Sequence, residues 1–366
     1  MFKHLLTISL LLISGLTSAQ LVVPQGTTFR TGTNTLITTN TSVANRSAQF
    51  NLNQAGSGIV LAGSNQAIST TEDIVVPNLG ITGGGIKTMD GVIAVTENLI
   101  LDNGLVNTGN QLDLDLFVLG PNVSIDENGA NSYVVGPLVH LGGGDKFFPI
   151  GTGSQYAPVV LYGVTGSNDV TTALLAAPQT GAFLPSTLEA PVDSASQNWF
   201  WGFLSQGLSS ATVELPILPG DEGLTSGDNR TGVILEVDTT TRLATNLGGV
   251  LSGNTIRSTS SLSKEVAYLM MGSSLVITPL IRNLITLNRD GQNDFLVIED
   301  IDIYQNNEVI LLDRWGTEVF SKSGFRNYDE FDNPYDGSFD FLEPGNYICI
   351  VKYAGRSIKQ VITVLK

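Results

Sequence analysis

One cysteine and two histidines are all that 366 residues carry, and each scarcity removes a class of chemistry. Cys349 has no second thiol to pair with, so no intrachain disulfide forms even in an oxidising compartment. Inside an apolar strand it reads as a small buried hydrophobe. His4 sits in an N-terminal leader pattern, which leaves His140 as the one histidine around which a His-dependent triad can be built. Its setting, Val139-His140-Leu141 beside Gly142 to Gly144, reads as structural or surface. No two-histidine zinc motif, G-x-S-x-G elbow or phosphate-binding loop occurs. Charge is also scarce at 14%, and it is one-sided: 18 Lys and Arg against 34 Asp and Glu, net −16. Such a surface repels nucleic acid and anionic membranes, so nucleic acid is excluded as a partner. Past the N-terminus no apolar run approaches the roughly 18 residues of a spanning helix, so the chain is not expected to span a membrane.

What the sequence does hold is 40 Gly and 42% apolar residues, with abundant Thr, Ser, Asn and Val in short alternating runs, which predicts an all-β fold. The N-terminus has the three parts of an export signal. Lys3 supplies the positive region, Leu5 to Ile13 the apolar one, and Thr17-Ser18-Ala19 a small-residue cleavage site, so residues 1–19 are expected to leave and Gln20 to begin the mature chain. No Cys follows that site, which argues against a lipoprotein anchor.

Residues 20–141 contain a repeat of about 20 residues. Asn78-Leu79-Gly80-Ile81 through Ile86 aligns with Asn98-Leu99-Ile100-Leu101 through Val106, and Val92 and Ala94 with Leu112 and Leu114. Gly58-Ile59-Val60, with Gly63 and Gln66, echoes Gly104-Leu105-Val106, with Gly109 and Gln111. Alternate apolar positions turning at Gly or Asn fit coils of a parallel β-helix, and evenly spaced hairpins of a sandwich fit as well.

Residues 142–274 read as a β-sandwich, entered through Ser132-Tyr133-Val134-Val135-Gly136-Pro137-Leu138 and Phe147-Phe148-Pro149-Ile150-Gly151. In Trp199-Phe200-Trp201-Gly202-Phe203 the period of two puts Trp199, Trp201 and Phe203 on one face, either a sugar platform or a core strand. Asp113, Asp115, Asp126 and Glu127 are the carboxylates that a polysaccharide-cleaving enzyme would draw on. Ser273 to Pro279 reads as a linker.

Residues 280–366 form a last β module with five ordered motifs. They are the loop Asn288-Arg289-Asp290-Gly291-Gln292-Asn293-Asp294, the turn Arg314-Trp315-Gly316, the turn Tyr335-Asp336-Gly337, the approach Pro344-Gly345-Asn346-Tyr347, and a strand at the terminus. Together they resemble the gliding motility-associated C-terminal domain, the type B sorting domain of Bacteroidota type IX secretion cargo. That family usually carries Pro-Asn before the first Asp-Gly, where this chain has Leu287-Asn288-Arg289, and Trp-Asp-Gly where it has Tyr335-Asp336-Gly337. The resemblance implies an immunoglobulin-like β-sandwich and the type IX secretion machinery as partner. Its motif residues here are Asp290, Gly291, Asn293, Asp294, Arg314, Trp315, Gly316, Asp336, Gly337, Pro344, Gly345 and Tyr347.

Asn288, Asp290, Asn293 and Asp294 surround Gly291 with hard oxygen donors, the chemistry that calcium prefers. The same residues also cap turns through side-chain to backbone bonds. No other cofactor is indicated. The sequence therefore predicts a solenoid, a sandwich and a sorting module in a secreted or surface structural or adhesive protein without catalytic residues. A surface glycan is a further expected partner. The alternative is a carbohydrate-active or carbohydrate-binding protein working through the solenoid acids or the aromatics.

Overall fold

A computed structural model describes residues 20–48, 50–52, 54–109, 117–176, 184–188, 191–225, 229–304, 306–329, 331, 333–353 and 355–366. The leader, Asp113 and Asp115, and the repeat positions Leu112 and Leu114 lie outside them. The described residues are all-β, with three short 3-10 turns, and none of their helices is long and apolar enough to cross a membrane.

A β-solenoid of about five turns comes first. Its turns are β1 (Gln20–Val23), β2 (Phe29–Arg30) and β3 (Leu36–Thr39); β4 (Ser42–Asn45), β5 (Phe50–Asn51) and β6 (Gly58–Leu61); β7 (Gln66–Thr70) and β8 (Ile74–Ile81); β9 (Ile86–Asp90) and β10 (Ile93–Leu101); β11 (Leu105–Asn107), β12 (Phe117–Leu119) and β13 (Ser124–Glu127). Every pairing between turns is parallel. A turn cannot bury its own inward side chains, so each stacks on the same position of its neighbour. Val43, Ile68 and Met89 form one buried column, and Ile59, Leu79 and Leu99 another. Each such side chain contributes about 1.5–3 kcal/mol by leaving water.

The repeat is the physical register over much of its length: Asn78 lies beside Asn98, Leu79 beside Leu99 and Ile81 beside Leu101. At the next corner the spacing shortens by one, and Ile86 pairs with Leu105, not Val106. The echo of Gly58-Ile59-Val60 in Gly104-Leu105-Val106 is not structural. Gly58 to Val60 pair with Asn78 to Gly80, whereas Leu105 and Val106 belong to a different sheet. Gly58 is fixed by close approach, since a Cβ there would stand 2.0 Å from the Asn78 carbonyl oxygen.

The parallel stack continues through β14 (Val134–Val135) and β15 (Leu138–Leu141), then meets β16 (Gly144–Phe148), β17 (Ile150–Gly151) and the long β18 (Val159–Ala176). β15 pairs with β18 antiparallel, which ends the parallel stacking in that sheet, while in the other sheet β14 still pairs with β17 in parallel. The next strands are β19 (Val192–Ala195), β20 (Trp199–Pro216), β21 (Arg230–Asp238), β22 (Ala244–Asn246), β23 (Val250–Ser252), β24 (Thr255–Arg257) and β25 (Val266–Leu275). β18 and β20 form the longest antiparallel ladder. One hydrophobic core runs from Val23 to Met271. The line between residues 141 and 142 therefore marks a change of strand direction within a continuous sheet, not a gap between two cores.

Residues 274–366 belong to a second compact unit. Its strands are β26 (Leu280–Ile281), β27 (Leu284–Thr286), β28 (Ile298–Glu299), β29 (Glu308–Leu312), β30 (Glu318–Ser323), β31 (Gly345–Tyr353) and β32 (Arg356–Leu365). β27-β32-β31-β29-β30 form a five-stranded sheet, and β26 pairs with β28. Alternation points Val309, Leu311, Cys349, Val351, Ile362 and Val364 into a core closed by Leu296, Ile298, Phe325 and Phe339.

Candidate functional site

The C-terminal module is the candidate site, and its sequence motifs divide into those that build it and those that face outward. In the 288–294 loop, Asn288 Nδ2 donates to Asp290 Oδ2 at 2.8 Å, and Asp290 N donates to Asn288 Oδ1 at 3.3 Å. Gln292 N donates to Asp290 Oδ1 at 2.9 Å, and Gly291 N to Asp294 Oδ2 at 2.7 Å. These are turn-capping bonds. Arg289, Gly291 and Asn293 all take positive φ, so the loop is tightly wound. Thr286 anchors it by donating from N to Asn293 O and from Oγ1 to Gln292 O. Asp294 Oδ1 remains buried without a hydrogen-bond partner. No group of three or more His, Cys, Asp or Glu gathers to hold a metal among the described residues.

The Arg314-Trp315-Gly316 turn hangs on Asp313. Asp313 Oδ1 accepts from Trp315 N at 2.8 Å and from Thr317 N at 2.9 Å, with Gly316 at φ +81. The Trp315 indole is left 83% exposed, a costly position for the largest apolar side chain unless a partner covers it.

Asp336 Oδ2 accepts from Arg326 N at 3.0 Å, and its Oδ1 pairs with Lys322 at 3.2 Å. Gly337 packs backbone to backbone on Leu296. After Pro344, Gly345 opens β31, and Tyr347 donates its hydroxyl to Glu343 O at 2.8 Å. Two buried asparagines outside the sequence motifs clamp the loops to the sheet. Asn307 Nδ2 donates to Tyr304 O and Phe325 O while its Oδ1 accepts from Phe325 N. Asn327 bridges both backbone groups of Ile298 and donates to Asp302. Their one sequence signal is an amide in a polar loop, which is too common to single them out. Cys349 is fully buried, and burial pushes its thiol up to about 12.

The other candidate residues are distributed apart from one another. Trp201 and Phe203 are fully buried in the core, and Trp201 Nε1 donates to Ala157 O. Phe200 is buried on the opposite face against Tyr268, so these three form no exposed platform. Trp199, half-buried, donates Nε1 to Pro219 O. Glu127 Oε2 accepts from the Tyr156 hydroxyl at 3.0 Å and from Gly129 N, while Asp126 is exposed on the neighbouring face of β13. His140 is buried with its edge on Phe148, and burial, with the Lys146 charge second, lowers it to about 4. Its Nδ1 has no partner, which suits a neutral packing residue.

No curated protein and no solved structure matches the chain. Residues 280–364 match the family model of the CHU_C type IX secretion signal domain, which supports a C-terminal sorting domain and export of the chain by type IX secretion to the cell surface or the extracellular space.

Proposed function

We propose that this is a structural or adhesive protein of the surface of a gliding Bacteroidota cell, with its binding contacts spread along the solenoid and sandwich. The observation that carries the reading is the union of a sorting domain with a solenoid on which polar side chains of two adjacent turns line up. Asn98 Nδ2 donates to Asn78 Oδ1 at 2.6 Å, and Thr82 donates to Asp102 at 3.0 Å across the same two turns. A stacked, elongated surface of this kind suits an extended polymer such as a surface glycan better than a small substrate. Glu127, the one candidate acid with described partners, is engaged by Tyr156 and Gly129, which supports a structural role for it. Weak calcium binding at Asp294 belongs to the same proposal.

Fractionation of an expressing gliding host tests it. The full chain is expected at the surface or in the medium, and a version ending at Ser274 inside the cell. Surface-displayed chain is then expected to bind a glycan panel saturably without releasing products. Product formation that is lost on changing Glu127 would replace the adhesive reading with an enzymatic one.

A further inference from the structure

One row of side chains crosses four strands on the outward face of the sheet that holds β18 and β20. Val160, Glu214, Arg257 and Val250 are register partners on β18, β20, β24 and β23, while alternation buries their chain neighbours Leu161, Val213 and Ile256 on the core side. Tyr162 and Thr212 form the next pair along the same face. The Tyr162 hydroxyl donates to Glu214 Oε2 at 2.9 Å, the Arg257 guanidinium lies 3.7 Å over the Tyr162 ring, and Arg257 Nη2 donates to Thr212 Oγ1 at 3.3 Å. Stacking on the ring fixes the plane of the guanidinium. Glu214 and Arg257 stand directly opposite one another, yet among the described residues neither enters an ion pair. The arginine is held by the ring and the threonine instead. That leaves its Nε and Nη1 as donors, and Glu214 Oε1 as an acceptor, without a protein partner among the described residues.

We propose that this face is a binding site for a neutral polysaccharide, with Arg257 and Glu214 gripping hydroxyls of one sugar residue. The inference deepens the glycan reading above and rests on it. A guanidinium only donates and a carboxylate only accepts, so the pair complements a ligand whose neighbouring groups each do both, as ring hydroxyls do. The apolar side of the sugar has Val250, 58% exposed, to lie against in the same row. Charge selects against an acidic polymer. Asp145, whose Oδ1 accepts from Gly163 N at 2.8 Å and whose charge reaches the Tyr162 hydroxyl, joins Glu214 to set two carboxylates against one guanidinium, in a chain of net −16. A metal is a poorer fit, since these acids are not part of any group of three or more His, Cys, Asp or Glu among the described residues. Tyr162 is a positioning residue here: its hydroxyl orients the acceptor and its ring orients the donor.

Affinity electrophoresis of the leaderless chain, residues 20–366, through gels holding a neutral β-glucan, a neutral mannan or the polyuronate alginate tests this. Retardation by a neutral polymer and not by alginate is expected. Arg257→Ala and Glu214→Gln should each weaken that binding about tenfold or more, with circular dichroism and melting unchanged. Arg257→Lys, which keeps the charge and loses the planar donor fork, should weaken it as well. Tyr162→Phe keeps the ring and frees the carboxylate, so a smaller loss is expected. Amide exchange in the unaltered chain needs no variant: the bound neutral polymer should protect residues 160–162, 212–214 and 255–257. Neutral-glycan binding that survives every variant, or protection confined to other strands, would overturn this site and leave the distributed glycan reading standing. Retardation by alginate that survives Glu214→Gln would overturn the choice of a neutral sugar. No retardation by any of the three polymers would remove both this site and the glycan reading beneath it.

Discussion

Gly337 and Leu296 meet backbone to backbone: Leu296 N donates to Gly337 O at 2.9 Å, and a Cβ on Gly337 would stand 2.3 Å from Leu296 O. The glycine of the aromatic-Asp-Gly motif is therefore a packing requirement, and it ties the motif loop to the strand region that fills the module's core.

Gly337→Ala is expected to destabilise the C-terminal module by about 2 kcal/mol or more, since the clash is with main chain that cannot rotate away. Denaturant melts of the chain would measure this, and surface delivery should fall in parallel.

Trp315 predicts the opposite pairing of effects. Its ring is exposed, and the turn is held by Asp313 acting on backbone groups, so Trp315→Ala should leave stability within about 0.5 kcal/mol. If the secretion machinery covers the indole, export of the folded variant drops. Normal export would assign the Arg-Trp-Gly motif to folding alone.

His140 sets a pH dependence. Its folded value near 4 lies below its ordinary 6.5, so between those values the unfolded chain takes up a proton that the folded chain does not. Stability contributed by the neutral ring is present above pH 6.5 and lost as pH falls toward 4, on the order of 3 kcal/mol at most. His140→Leu should flatten that part of the melting-temperature profile relative to the unaltered chain, at the cost of the ring's backbone hydrogen bonds to Phe147 and Gly120.

Calcium titration separates the two roles of the 288–294 loop. Millimolar calcium is expected to raise the melting temperature of the chain slightly, and Asp294→Asn to abolish that shift. An unchanged melt with calcium would leave the loop as a hydrogen-bonded turn only.

Much of the solenoid was legible because its physics is local and periodic. Leu79 and Leu99 are equivalent in sequence since they are neighbours in space, and a strand period of two exposes the pattern. The echo between Gly58-Ile59-Val60 and Gly104-Leu105-Val106 misled because similar short apolar strands serve different sides of the coil, and composition does not distinguish those sides. The expected core role of Trp201 and Phe203 was open for a related reason: alternation describes a buried face and an exposed one equally well until the opposing layer is known.

By itself the sequence determined the strand class, the export-oriented organisation and the turn motifs of the C-terminal module, because these depend on residue type and short-range spacing. Tertiary structure alone decided which motif residues build and which face outward. Gly337 is held by a main-chain contact 41 residues away in sequence, Asn327 by Ile298 and Asp302, and Trp315 by the Asp313 carboxylate of its own turn. It also decided which strands end their sheets among the described residues. A sheet edge is defined by the absence of a neighbour, and no local pattern in the chain records whether a distant strand will return to cover it.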